Sequence, residues 1–195
     1  MYAAEYNFSD VTILTITKRL NMLPAAAAAA TKYASAHIQN ISQDCNELNG
    51  KARPLDISIE NRTQFAIQRV AGDYFDSGKI FGGNYSNIGP LQKGNLAAAN
   101  GNGTFMQGVS GAITFSIVVP ETGEKVYDFV LGFSNPFAGS AKLRASFSES
   151  LGEVWDNMGS TSSKCTLLLN NGQKIEITSF PGSPQASLSI IQRPQ

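Results

Sequence analysis

The chain has 195 residues, with fifteen Lys and Arg balancing fifteen Asp and Glu, a length suited to one domain plus an extra functional segment. Charged residues make up only 15%, so there is no basic excess of the kind a nucleic-acid partner leaves behind. Hydrophobic residues at 42% and eleven Phe exclude intrinsic disorder, and no run of eighteen purely apolar residues marks a resting transmembrane span.

The start, Met1-Tyr2-Ala3-Ala4-Glu5, lacks the basic and apolar regions of a secretory signal; no signal peptide is visible, so either the chain is leaderless or a leader has been removed. Val11 to Leu23 is the first apolar stretch. Its spacing fits a helical stripe, while its β-branched content suits a strand equally well. Pro24 then opens a run of six alanines, Ala25 to Ala30, with proline at its favoured first helical position. From there Ala27, Ala30, Ala34, Ile38, Ile41, Cys45 and Leu48 recur at steps of three and four. The pattern predicts an amphipathic helix ending at Asn49-Gly50.

Beyond Pro54 the period changes from near 3.6 to 2, the sign of strands. Leu55-Ile57-Ile59, Ile113-Phe115-Ile117-Val119, Tyr127-Phe129-Leu131-Phe133 and Leu143-Ala145-Phe147 each alternate with more polar neighbours. Leu167 to Asn170, Asn171-Gly172 and Lys174 to Phe180 read as a hairpin on an Asn-Gly turn, and Ala186 to Ile191 supplies a last strand. One short helix is expected between them: Ser148-Glu149-Ser150 offers capping residues, and Leu151, Val154, Trp155 and Met158 share a helical face. The predicted fold class is mainly β, a β-sandwich with an N-terminal amphipathic α-helical segment and one short additional helix. Residues 1–53 form the N-terminal segment and 54–195 the sandwich.

Catalytic chemistry finds little support. The single histidine, His37, has no neighbouring carboxylate in sequence, and Asp128, Glu153 and Asp156 are scattered. No nucleophile elbow, P-loop or zinc-protease motif occurs. No enzyme, cofactor or metal is expected. Cys45 and Cys165 are too few for a disulfide scaffold or a zinc site, and each lies on an apolar pattern that favours two free thiols over a bridge. Five Asn-x-Ser/Thr acceptors, at Asn7, Asn40, Asn61, Asn84 and Asn102, would permit glycosylation in a secretory compartment.

Leu48-Asn49-Gly50-Lys51-Ala52-Arg53-Pro54-Leu55-Asp56-Ile57-Ser58-Ile59-Glu60-Asn61 resembles the junction in actinoporins where the N-terminal helix passes through a basic linker into the first strand. Tyr74-Phe75-Asp76-Ser77-Gly78 resembles that family's Tyr-Phe-Arg-Ser-Gly segment, and Phe133-Ser134-Asn135-Pro136-Phe137 its Phe-Ser-Val-Pro-Phe segment. Order and spacing agree across roughly residues 20 to 148. The resemblance implies a secreted, soluble β-sandwich cytolysin that docks on a target cell membrane, inserts its N-terminal helix and assembles into a homo-oligomeric pore. It also implies that Ser77, Ser134 and Pro136 help cradle a phosphocholine-type lipid head group. The chain departs from the family after Phe137, where Ala138-Gly139-Ser140-Ala141 replaces an aromatic-rich loop, and over Leu151 to Met158, where Trp155 is the lone aromatic; the Arg-Gly-Asp tripeptide is also absent. Fungal fruit-body lectins resemble actinoporins in fold, so the second reading is a non-lytic module binding a lipid or a glycan receptor. A third is a partner-binding protein whose helix docks on another chain.

For insertion, a helix over Pro24 to Leu48 would extend roughly 37 Å at ~1.5 Å per residue, against a hydrocarbon core of ~30 Å. Lys32, Asp44 and Glu47 would each cost on the order of 2.5 kcal/mol at the bilayer centre, which is tolerable only where several copies line water together. Ile16, Leu20, Leu23, Ala27, Ala34, Ile38 and Ile41 are the expected membrane-inserting residues, and Phe137 and Trp155 the expected interfacial anchors.

Overall fold

The computed structural model describes residues 48, 51, 53–100 and 107–194. Within them the chain forms eleven strands: β1 (Leu55–Arg62), β2 (Ala66–Ser77), β3 (Lys79–Gly82), β4 (Asn87–Ile88), β5 (Lys93–Ala99), β6 (Val109–Val118), β7 (Lys125–Asn135), β8 (Lys142–Ser146), β9 (Ser163–Leu168), β10 (Gln173–Phe180) and β11 (Gln185–Pro194). One six-residue helix, α1 (Leu151–Asp156), lies between β8 and β9.

The strands make two sheets. Six run in the order β3-β5-β1-β11-β10-β9 and five in the order β4-β2-β6-β7-β8. All pairings are antiparallel except β1 with β11, which run parallel in the middle of the larger sheet. The mainly β sandwich with one short extra helix is therefore the observed architecture.

Alternation explains the layering. Leu55, Ile57 and Ile59 of β1 are fully buried while Asp56, Ser58 and Glu60 face outward, and Ile175, Ile177, Leu188 and Ile190 extend the same inner face. Opposite them, β6 and β7 contribute Ile113, Phe115, Ile117, Phe129, Leu131 and Phe133. Phe115 and Phe129 stack with ring centroids 5.3 Å apart, and Phe75 meets Phe133 edge-on at 6.0 Å. Such ring pairs contribute about 0.5 to 1.5 kcal/mol beyond their burial.

Two expectations are corrected in detail. The β9–β10 hairpin closes through three residues, Asn170 to Gly172, because the Leu169 N–H still donates to the Gln173 carbonyl at 2.8 Å. Gly172 sits at φ +74°, the left-handed position that ends a three-residue hairpin loop and that glycine fills without steric penalty. Asn61 is 1% exposed, and its Nδ2 donates to the carbonyls of Phe65 (2.8 Å) and Gly89 (2.9 Å). Its amide is a buried structural link, so it is no glycan acceptor in the folded chain.

Candidate functional site

The outer face of the five-stranded sheet is the one that α1 covers. Ala112 on β6 and Val130 on β7 form a small buried cluster with Val154 of the helix, flanked by Leu151 and Trp155. Close approach depends on Gly132: a Cβ there would sit 2.8 Å from Val154 Cγ1 and 3.1 Å from Met158 Sδ. A helix this short does not hold itself together by propensity. Its start is fixed by a capping box, in which Ser150 Oγ accepts from Glu153 N–H (3.4 Å) and Glu153 Oε2 accepts from Ser150 N–H (2.8 Å).

A second clamp runs from the residue ahead of the N-cap to Asn157 at the C-cap. Glu149 Oε2 accepts from Arg144 Nη2 at 2.8 Å and Nε at 3.0 Å, and its other oxygen accepts from Asn157 Nδ2 at 2.7 Å. Burial pushes the Glu149 carboxyl upward, but hydrogen bonds from Arg144, Ser146 and Asn157 and the Arg144 charge outweigh it and hold the group below its ordinary value. The helix is thereby pinned to β8 at one end and to β6 and β7 along its length.

This anchoring places Trp155 over a row of serines. Ser77 on β2 opposes Ser110 on β6, and Ser110 opposes Ser134 on β7. At ~4.8 Å between adjacent strands, the three span about 10 Å. Trp155 Nε1 donates to Ser110 Oγ at 2.7 Å, which leaves the Ser110 O–H as a donor of its own. The Ser134 hydroxyl has no protein partner among the described residues and is 8% exposed. Ser77 Oγ donates to the Gly108 carbonyl at 2.9 Å, so its proton is already committed and its lone pairs remain.

Aromatic surface flanks the row. Tyr74, 39% exposed, meets Trp155 edge-to-face at 5.6 Å. Among the described residues the cations stacked on rings are Lys51 and Lys79 on Phe81 and Arg69 on Tyr85.

The structure thus brings Ser77, Ser134 and Trp155 into one neighbourhood. Pro136 lies just past the end of β7, in the turn that leaves Ser134. Phe137 is 43% exposed, and its carbonyl accepts both Nε (3.0 Å) and Nη2 of Arg53; that loop is also tied to the start of β1 by Asn135 Nδ2 donating to the Pro54 carbonyl at 2.8 Å. Ile16, Leu20, Leu23, Ala27, Ala34, Ile38 and Ile41 lie outside the described residues, as does Cys45. Cys165 is a free thiol on β9, and burial pushes it up to about 11. Sequence reasoning missed Ser110, which belongs to no motif and is revealed only by the strand register, and the edge-to-face contact of Tyr74 with Trp155, which exists only once the helix is seated.

No family model matches the chain, and no curated protein matches its sequence. Among solved structures, the chain is similar to the lipid-binding protein Nakanori, with 12% identity, 85% of each chain covered and a TM-score of 0.54. Weaker likenesses are to IP-1A from Alcaligenes faecalis (12% identity, 75% of this chain and 96% of that one, TM-score 0.41) and to RahU in complex with a Tris molecule (10% identity, 75% and 99%, TM-score 0.41). At 12% identity, what the chain shares with Nakanori is the fold.

Proposed function

We propose that the chain binds membrane lipid through the α1-covered end of the five-stranded sheet. The observation that carries this reading is the serine row joined to Trp155. Ser110 and Ser134 offer hydroxyl donors suited to phosphate oxygens, and Tyr74 and Trp155 offer ring surface suited to a quaternary ammonium. A phosphocholine head group combines both chemistries. That the fold is shared with a lipid-binding protein supports the same direction. Recognition does not run on net charge, because Lys and Arg only equal Asp and Glu.

On this reading the rest of the mechanism follows the actinoporin pattern. The sandwich docks, Phe137 and Trp155 sit at the interface, residues 1–53 supply the segment that enters the bilayer, and several copies assemble so that Lys32, Asp44 and Glu47 face water. Secretion toward a target cell and cytolysis belong to this proposal, and no catalysis does. Co-sedimentation of the full chain with phosphatidylcholine or sphingomyelin vesicles, alongside release of an entrapped dye, tests it in two steps. Binding without release supports the docking step and removes the pore; no sedimentation with either lipid overturns the whole reading.

A further inference from the structure

The outer face of the six-stranded sheet carries a groove that takes no part in the site above. It encloses about 500 Å³ and its lining includes Asp56, Ser58, Asn95, Phe180, Gln185 and Ser187. Strand pairing sets four of them in a row: Phe180 opposes Ser187 across β10 and β11, Ser187 opposes Ser58 across β11 and β1, and Ser58 opposes Asn95 across β1 and β5. Three strand spacings of ~4.8 Å make this row about 14 Å long. Gln185 opposes Asp56 in the next row on the same face.

The floor is rigid where it is most polar. Asn95 is 4% exposed; its Oδ1 accepts from the Asn84 backbone N–H at 3.2 Å, and its Nδ2 lies 3.5 Å from Asp56 Oδ1. At the other end Phe180 is an aromatic ring left 46% exposed, on a face whose neighbours are hydroxyls and amides. Core packing does not account for a phenylalanine placed there.

The chemistry of the lining selects among ligands. Among the described residues that line it there is no Lys or Arg, so an anion would meet no counter-charge. A single ring makes no cage for a quaternary ammonium. What the groove offers is the Gln185 amide and the Ser58 and Ser187 hydroxyls, a mixture of donors and acceptors, beside an Asp56–Asn95 pair already hydrogen-bonded within the sheet and with an apolar ring at one end. Neutral sugars match that set: each hydroxyl both donates and accepts, adjacent hydroxyls suit the paired atoms of an amide, and the C–H face of the pyranose ring stacks on an aromatic side chain. We propose that this groove binds a neutral oligosaccharide, extended along the row from Phe180 to Asn95. The inference does not rest on the lipid reading, since the two sites share no residue and lie on different sheets.

The test uses the full chain on an array of neutral, sialylated and sulfated oligosaccharides, followed by saturation-transfer NMR with methyl glycosides of galactose, glucose, mannose, fucose and the N-acetylhexosamines at millimolar concentration. Retention of a neutral glycan is expected. Phe180→Ala and Ser58→Tyr, both at exposed outer-face positions, are each expected to weaken it about tenfold or more, a tenfold change in Kd being the loss of one modest contact. Thermal unfolding confirms that each variant folds, and Gln185→Ala replaces either that does not. Vesicle binding should be unchanged in these variants, and glycan binding unchanged in Trp155→Phe, so failure of one site is distinguishable from failure of the other. Absence of any retained neutral glycan, retention only of sialylated or sulfated ones, or retention that survives either groove substitution would overturn the proposal.

Discussion

The bond between Trp155 Nε1 and Ser110 Oγ, at 2.7 Å, ties the helix to the serine row and gives a prediction that can be sized. In Ser110→Ala the indole N–H loses its acceptor at a site where Ser110 is only 7% exposed. The net worth of such a bond is about 0.5 to 1.5 kcal/mol, which for a domain of this size corresponds to a drop in Tm of about 2 to 4 °C per kcal/mol. Trp155→Phe removes the same bond from the other side while keeping a ring against Tyr74. Urea unfolding followed by circular dichroism on the wild type, both single variants and the double variant isolates the pairwise energy, expected near 1 kcal/mol. Coupling within the ~0.3 to 0.5 kcal/mol scatter of unrelated sites would refute the bond, and with it the placement of the indole over the row.

Gly132→Val would push a side chain into Val154 and Met158, at 2.8 and 3.1 Å from the new Cβ. Overpacking of this kind costs about 1 to 3 kcal/mol, and the loss should be read as a lowered Tm together with a shifted Trp155 emission, because the helix itself moves. Glu149 titrates below its ordinary value of 4.5 in the folded chain. Its contribution to stability is therefore complete above that value and is lost as pH falls through the folded pKa; Glu149→Gln should flatten the acid limb of the Tm–pH curve, and an unchanged limb would dissociate Glu149 from the anchoring of α1. With its thiol raised to about 11, Cys165 should react with a thiol reagent at pH 8 much more slowly in the native Cys45→Ser protein than in the same protein unfolded in urea. Equal rates would contradict its buried setting.

Much of the sandwich is legible in the sequence because large apolar residues recur at every second position of the inner face, whether the other face is wet, as in β1, or covered, as in β6. Leu55 to Ile59, Ile113 to Val119, Tyr127 to Phe133 and Ala186 to Ile191 all show it, and Ser150 with Glu153 announces the helix. β2 does not show it. Its pairing with β6 shifts register between Arg69 and Asp73, where Gly72 stands at φ +109°, so the alternation breaks halfway along and the second half is mostly exposed. β5 is hidden for the opposite reason: Ala97, Ala98 and Ala99 are fully buried, and tertiary context makes a strand of residues whose intrinsic preference is helical. The parallel pairing of β1 with β11 joins residues some 130 positions apart, with no local signal at all. At the site, Ser77 and Ser134 stood out through motif resemblance, whereas Ser110 enters only because two independent registers meet on β6. The polar groove on the six-stranded sheet is likewise a product of four strands in register.

Trp155 is the chain's sole tryptophan, so its emission reports directly on the proposed lipid site. Titrating the full chain with sphingomyelin vesicles should give a saturable blue shift as the indole leaves water, and the shift should be weakened in Ser110→Ala and Ser134→Ala that remain folded. Vesicles that bind the protein while leaving the Trp155 spectrum unmoved, or that bind both serine variants as tightly as the wild type, would contradict the assignment of this face to lipid.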